Sequence, residues 1–124
     1  MKIDYLEDGA DDCPLIRLYA FQPFEAECLR RIFERLAEGS QTQVRLEDVL
    51  AVEAMDSTRL TMIVGNEDKG IDKVGDHSFV LTLTLPAWQQ VAELTAPFGV
   101  EKAGFQWLST ESEISLLLSS DGHW

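Results

Sequence analysis

Two stretches of the chain carry apolar residues at helical spacing. The first lies between Pro23, a residue suited to the first helical turn, and Gly39, suited to the position just past a helix end. The second begins at Pro86 and ends at the sequence Pro97-Phe98-Gly99. Both stretches predict one-sided helices. Their apolar stripes are Cys28, Leu29, Ile32, Phe33 and Leu36 in the first, and Trp88, Val91, Leu94 or Thr95, and Phe98 in the second.

Alternating or continuous apolar runs predict strands elsewhere. Residues 15–21 read as a strand, and residues 79–85 as a strand with one more apolar face. Residues 50–64 predict a hairpin whose three-residue turn, 56–58, sets Ala54 opposite Leu60. A last hairpin is predicted across the turn 109–112, with Phe105 and Trp107 pairing with Leu116 and Ile114.

The predicted order is β-α-β-β-β-α-β-β, which favours the α+β class. We expect a mostly antiparallel sheet with two helices on one face, related to the ferredoxin-like βαββαβ arrangement. A length of 124 residues suits one domain, 1–124, in which residues 1–14 form an acidic lead-in. No internal repeat is visible in the sequence.

The formal net charge is −12, in an otherwise globular composition that is 45% hydrophobic. Phosphate recognition needs clustered Lys and Arg, so this charge argues against nucleic acids and anionic membranes as partners. The chain begins without the apolar stretch of a signal peptide and has no apolar run long enough to span a bilayer. These features predict a soluble, cytoplasmic protein.

The two cysteines, Cys13 and Cys28, form neither a C-x-x-C pair nor a disulfide framework. Cys28 falls in the first helical stripe, which predicts a small buried thiol. A nucleophilic role for Cys28 needs exposure and a cationic neighbour, for which Arg31 is the candidate.

Residues 65–77 read as a charged loop with three glycines. Gly65 and Gly70 have the spacing of a phosphate-binding loop, but Ile71 and Asp72 replace its Lys and Ser/Thr, so nucleotide binding is not expected. The candidate metal ligands of the chain follow in the same loop: Asp68, Asp72, Asp76 and His77. Their every-fourth spacing matches neither a calcium loop nor a zinc site, so a hydrated loop is the favoured interpretation, and no cofactor is predicted.

All six arginines precede residue 60, and Arg17, Arg45 and Arg59 fall on predicted strands. They form a cationic patch if those strands are neighbours, although ion pairs with Glu47, Asp48 and Glu53 are the favoured interpretation. Trp124 follows a polar turn and is expected either to fold back on the sheet or to contact a partner. The candidate partner-binding residues are therefore Arg17, Arg45, Arg59, Ile63 and Trp124.

Three functions remain open. The leading hypothesis is a non-enzymatic protein–protein interaction domain whose acidic surface attracts a basic partner, as inhibitor or immunity-type proteins do, or which self-associates into a homodimer. The first alternative is a small-molecule-binding domain in which Arg17 or Arg45 holds an anionic ligand. The second alternative is a small enzyme that uses Asp76 and His77.

Overall fold

The computed structural model describes residues 1–100 and 103–124, and within them it contains nine strands and three α-helices. The helices are α1 (Pro23–Glu38), α2 (Leu46–Val49) and α3 (Leu85–Thr95). The strands are β1 (Lys2–Leu6), β2 (Leu15–Tyr19), β3 (Gln43–Arg45), β4 (Glu53–Ala54), β5 (Arg59–Val64), β6 (Gly70–Lys73), β7 (Ser78–Leu83), β8 (Phe105–Ser109) and β9 (Ser115–Ser119).

Both long helices predicted from the apolar stripes are confirmed. Helix α1 ends at Gly39, whose φ of 76° is left-handed and whose N–H donates to the Leu36 carbonyl. Its buried residues are Ala26, Leu29, Ile32, Phe33 and Leu36. The prediction for Cys28 is wrong, because this thiol is exposed. Successive helical residues lie about 100° apart, so Cys28 projects to one side of the stripe that Leu29 centres.

The strands form two mixed sheets, not the single mostly antiparallel sheet that was expected. The five-stranded sheet has the order β4-β1-β2-β9-β8, and the four-stranded sheet has the order β3-β5-β7-β6. Hairpin partners pair antiparallel, whereas β2 pairs parallel with β9 and β5 pairs parallel with β7. The α+β class therefore stands. The ferredoxin-like arrangement is not confirmed, because the strands form two separate mixed sheets.

The two halves of the chain follow a similar order of elements. The order β1, β2, α1, β3, β5 in the first half corresponds to β6, β7, α3, β8, β9 in the second, although α2 and β4 have no counterpart, and each sheet takes one antiparallel pair of strands from each half. The central registers correspond: Ile16 lies opposite Leu116, and Phe79 lies opposite Leu60. Each half also places a proline seven residues after the matched strand position, at Pro23 and Pro86.

The predicted hairpin over 50–64 is wrong. Helix α2 ends at Val49, just before this stretch, and of the residues before the turn only Glu53–Ala54 form a strand, β4, which pairs parallel with β1. Consecutive left-handed residues at Asp56 (φ 53°) and Ser57 (φ 59°) then redirect the chain into β5, which pairs with β3 and β7. The local alternation of apolar residues favoured a tight hairpin. The strands that actually pair with β4 and β5 lie elsewhere in the sequence: β1 beside β4, and β3 and β7 beside β5.

Three smaller expectations are also corrected. The acidic lead-in contains strand β1, which pairs with β2. The charged loop 65–77 contains strand β6, which pairs antiparallel with β7. The C-terminal hairpin exists, but Phe105 lies opposite Ser119 and Trp107 opposite Leu117, with an irregularity before Ser109.

One hydrophobic core joins the helices to the inner faces of both sheets. Phe33 of α1 stacks on Trp88 of α3, with ring centroids 5.8 Å apart. The Trp88 indole N–H donates to the Ile63 carbonyl at 3.1 Å, which ties α3 to the four-stranded sheet. Ile3, Leu18 and Leu116 contribute to this core from the five-stranded sheet. Among the described residues, no helix has both the length and the apolarity needed to cross a membrane.

The two sheets meet where Gly70 lies against the turn that precedes β9. Gly70 has a φ of 77°, and a β-carbon there would lie 2.8 Å from the Ser112 backbone nitrogen. The Ser112 hydroxyl also accepts a hydrogen bond from the Ile71 N–H at 2.9 Å. Only glycine fits this junction without moving one of the two sheets.

We predict that Gly70→Ala lowers the free energy of unfolding by about 2–3 kcal/mol, because it adds a backbone clash to the strain of a positive φ. The matched control is Gly9→Ala, which has a φ of 106° but open space around its β-carbon. This control is expected to cost only about 1 kcal/mol. Urea denaturation measures both values, and equal losses would contradict the proposed role of the junction.

We also predict that residues 1–66 and 67–124, produced separately, do not fold alone and recover native circular dichroism when they are mixed. Residues 1–66 hold three strands of the five-stranded sheet and two of the four-stranded one, and residues 67–124 hold two strands of each, so neither fragment completes either sheet. A cooperative thermal transition in either fragment alone would contradict this interdependence.

Candidate functional site

The outer face of the five-stranded sheet, directed away from the helices, is covered by the chain itself. Leu15 and Leu117 lie on this face, outside the main core, yet both are fully buried. The segment after β9 crosses the face, and the Gly122 Cα packs close to Arg17 and Tyr19. The loop that joins β1 to β2 meets this segment, since the Trp124 indole N–H donates to Asp12 Oδ2 at 3.1 Å.

Ser119, the last residue of β9, holds the terminal turn in place. Its hydroxyl donates to the His123 carbonyl at 2.7 Å and accepts from the Gly122 N–H at 2.9 Å. Asp121 accepts a hydrogen bond from the His123 backbone N–H at 3.0 Å, and this bond is the main cause that lowers the pKa of Asp121. Asp121 is exposed to solvent.

Arg17 lies at the centre of this face, and its charge is already neutralised. Its Nε and Nη2 atoms donate to the two oxygens of Asp4 at 3.1 and 2.6 Å. Its Nη1 atom donates to the Gly122 carbonyl at 2.7 Å, and the guanidinium lies 3.9 Å from the Tyr19 ring centroid. The hydrogen bond to Asp4 is also the main cause that raises the pKa of Arg17. Arg17 therefore anchors the terminal segment to the sheet.

A groove of about 640 Å³ opens beside this anchor. Three aspartates border it, together with three aromatic rings at its walls. The residues that line it are Ala10, Asp11, Asp12, Arg17, Phe105, Trp107, Asp121, Gly122, His123 and Trp124. Since Asp4 neutralises Arg17, the carboxylates determine the charge of the groove, and the arrangement is suited to holding a cation between acidic and aromatic groups.

The candidate partner-binding residues separate into two groups. Arg17 and Trp124 meet at the groove, where the Trp124 ring centroid lies 6.0 Å from the Arg17 guanidinium carbon. Arg45, Arg59 and Ile63 lie on the outer face of the four-stranded sheet instead. The three arginines therefore do not form one cationic patch. Arg45 forms an ion pair with Asp48 at 3.2 Å, in agreement with the favoured interpretation of local pairing.

The candidate metal ligands are not brought together. Asp68 accepts hydrogen bonds from the Thr84 N–H and hydroxyl, both at 2.8 Å, and Asp72 is exposed on β6. Asp76 and His77 are exposed and line a separate depression of about 300 Å³ near Tyr5. Across residues 1–100 and 103–124, no group of three or more His, Cys, Asp or Glu side chains is placed to hold a metal ion.

Sequence reasoning missed most of the residues that line the groove. Asp11 and Asp12 fall in the acidic lead-in and Asp121 in the polar turn before Trp124, neither of which was predicted to be a site, and Phe105 and Trp107 were predicted only as strand residues. One signal was visible in the sequence: the turn that contains Asp121 lies just before Trp124. The juxtaposition itself depends on β9 lying beside β2, which brings Trp124 to Asp12 across 112 positions.

No protein-family model matches this chain, and the searches of curated proteins and of solved structures likewise found no match.

We predict that Arg17→Met lowers the free energy of unfolding by about 3–5 kcal/mol, because it leaves the buried Asp4 carboxylate without its counter-charge. The double variant Asp4→Asn/Arg17→Met is expected to lose clearly less free energy of unfolding, because no unpaired charge stays buried. Urea denaturation of both single variants and the double variant gives the coupling energy. If the double variant is no more stable than Arg17→Met, the ion pair does not have this role.

Proposed function

We propose that this chain is a non-enzymatic interaction module that binds a basic protein partner at the groove beside Arg17. The observation that carries this proposal is the placement of Asp11, Asp12 and Asp121 around one opening walled by aromatic rings. A Lys or Arg side chain that enters the groove meets carboxylates for its charge and ring faces for its stem and cationic head.

The charge of the whole chain supports the same assignment. A net charge of −12 attracts a basic partner over long range and speeds encounter, as it does for inhibitor or immunity-type proteins. The aromatic walls supply contact area at short range, which attraction between surfaces alone does not. The long-range attraction of the net charge and the short-range contacts of the groove therefore favour the same kind of partner.

Binding of an anionic ligand, the first alternative, has less support. It relies on Arg17 or Arg45, but Arg17 is held by Asp4 and Gly122, and Arg45 is paired with Asp48. An anion in the groove also meets the carboxylates of Asp11, Asp12 and Asp121. The local field therefore opposes it.

The enzyme alternative, based on Asp76 and His77, rests on an exposed site. Both side chains are exposed, at a depression of about 300 Å³ that they share with Glu7, Asp56 and Lys73. General acid–base catalysis is favoured by groups held in a sheltered geometry. The groove beside Arg17 is about twice as large.

Self-association is the variant in which the partner is a second copy of the chain. The outer face of the four-stranded sheet, with half-buried Ile63 and Val80 and the flanking Arg45 and Arg59, is the surface for it. Light scattering during size-exclusion chromatography at two salt concentrations separates the cases. A dimer that Ile63→Lys disrupts would move the interaction site to this face.

We further propose a cytoplasmic location. Cys13 and Cys28 are both free thiols in the structure, in keeping with a reducing compartment.

We predict that a seven-residue peptide of alternating lysine and valine, beginning and ending with lysine, binds the chain and changes its tryptophan fluorescence. Trp107 and Trp124 line the groove, whereas Trp88 is fully buried. Substituting Asp11, Asp12 and Asp121 together by Asn is expected to weaken binding roughly tenfold, which corresponds to about 1.4 kcal/mol. Asn at position 12 retains an acceptor for the Trp124 indole.

The matched control replaces three exposed acids away from the groove, Glu38→Gln, Glu67→Gln and Asp72→Asn, and so removes the same total charge. Its affinity is expected to stay within about threefold of the native chain, because distant surface charges are screened beyond a Debye length of about 8–10 Å. Equal losses in the two triple variants would show attraction by total charge alone and would refute a groove-specific site.

A further inference from the structure

We infer that the basic partner binds as an extended segment, added as a sixth strand along the outer edge of β8, which is free among residues 1–100 and 103–124. This inference rests on the proposed function and specifies how the partner is held. Strand β8 (Phe105–Ser109) is the outermost strand of the five-stranded sheet, and its residues Phe105 and Trp107 also form a wall of the groove. The edge and the groove therefore belong to one continuous surface.

The hydrogen-bond register shows which backbone groups face the free edge. The Ser120 N–H donates to the Gly104 carbonyl at 2.9 Å, and the Ser115 N–H donates to the Pro14 carbonyl on the opposite side of β9. Even-numbered residues of β9 thus point to β8 and odd-numbered ones to β2. Because bonding positions alternate in an antiparallel pair, the backbone groups of Phe105 and Trp107 point away from β9, towards solvent.

A side chain already occupies one of these edge positions. The Gln106 amide nitrogen donates to the Trp107 carbonyl at 3.1 Å. This bond supplies the donor that a neighbouring strand would provide, and it is made by a flexible, partly exposed side chain. The N–H of an incoming segment takes the place of the Gln106 amide when the strand is added.

The other sheet edges are less suited to accept a strand. Strand β4 has two residues and β3 has three, and β3 runs directly into α2. The four-residue strand β6 uses Ile71 to contact Ser112 and Ile114 at the sheet junction. Short or covered edges are a common protection against unwanted pairing. Strand β8, with five residues, is the longest of these edges.

Charge decides what kind of segment this edge accepts. Alternate side chains of an added strand project to the same side as Phe105 and Trp107, towards the groove that Asp11, Asp12 and Asp121 border. Lys or Arg at those alternate positions meets the carboxylates, whereas Asp or Glu is repelled. The partner segment is therefore an extended stretch with a basic residue at every second position, a recognised mode of peptide binding to a sheet edge.

The test compares the alternating lysine–valine peptide with two N-methylated forms, one methylated on the lysine amides and the other on the valine amides. All three peptides have the same charge and side chains, but each methylated form lacks the N–H donors of one strand edge. We expect one methylated form to bind at least tenfold more weakly than the parent and the other to stay within about threefold.

On the protein side, Phe105→Pro removes the outward-facing N–H, and Phe105→Ala removes only the ring. Proline is tolerated where a strand N–H faces solvent, and circular dichroism checks that both variants fold. Phe105→Pro is expected to bind the parent peptide at least fivefold more weakly than Phe105→Ala does. The two arms test the backbone contact independently, one from each molecule.

The outcomes separate this inference from the proposed function. Equal affinities for the two methylated peptides, together with equal affinities of Phe105→Pro and Phe105→Ala for the parent, would overturn strand addition. The effect of the groove aspartates would then still support binding of a basic partner. If the parent peptide does not bind the native chain at all, the proposed function itself fails.

Discussion

The parallel pairing of β2 with β9 is the constraint on which the rest of the molecule depends. It joins the first hairpin of the chain to the last, and the pairing of β5 with β7 does the same for the other two hairpins. Neither half of the chain completes a sheet, so the core between helices and sheets forms only when both halves exchange hairpins. Long-range contacts of this kind carry a large loop-closure cost, which the buried apolar stripes of α1 and α3 help to offset.

The two sheets differ in the side chains on their outer faces. Corresponding positions of the two halves place Arg17 in the five-stranded sheet and Val80 in the four-stranded one. Val80 leaves an open, half-buried face, whereas Arg17 fastens the terminal segment across its sheet through the Gly122 carbonyl. Asp4 is what allows a cation to occupy this nearly buried position. One scaffold thus presents a bare sheet face on one side and a covered, grooved face on the other.

Local patterns in the sequence were sufficient to predict the elements whose stabilisation is local. Helices α1 and α3 were predictable because Pro23, Gly39 and Pro86 mark their ends and their apolar residues repeat at helical spacing. Strand pairing was not predictable, because the alternation of apolar and polar residues shows which face of a strand is buried but not which strand lies beside it. The residues before Asp56 alternate as a hairpin arm does, yet their short strand pairs with β1. The groove was hidden for the same reason, since Asp12 and Trp124 meet only after β2 and β9 have paired.

The positions of the acidic residues matter more for the proposed function than their number does. Two of the carboxylates on α1, Glu27 and Glu34, are balanced by Arg30 and Arg31. Around the groove, Arg17 is already neutralised by Asp4, and the hydrogen bond from the His123 backbone N–H lowers the pKa of Asp121. Three carboxylates that border one opening all attract the same bound cation. The proposed basic segment would therefore meet several acidic groups at once, which a dispersed acidic surface does not offer.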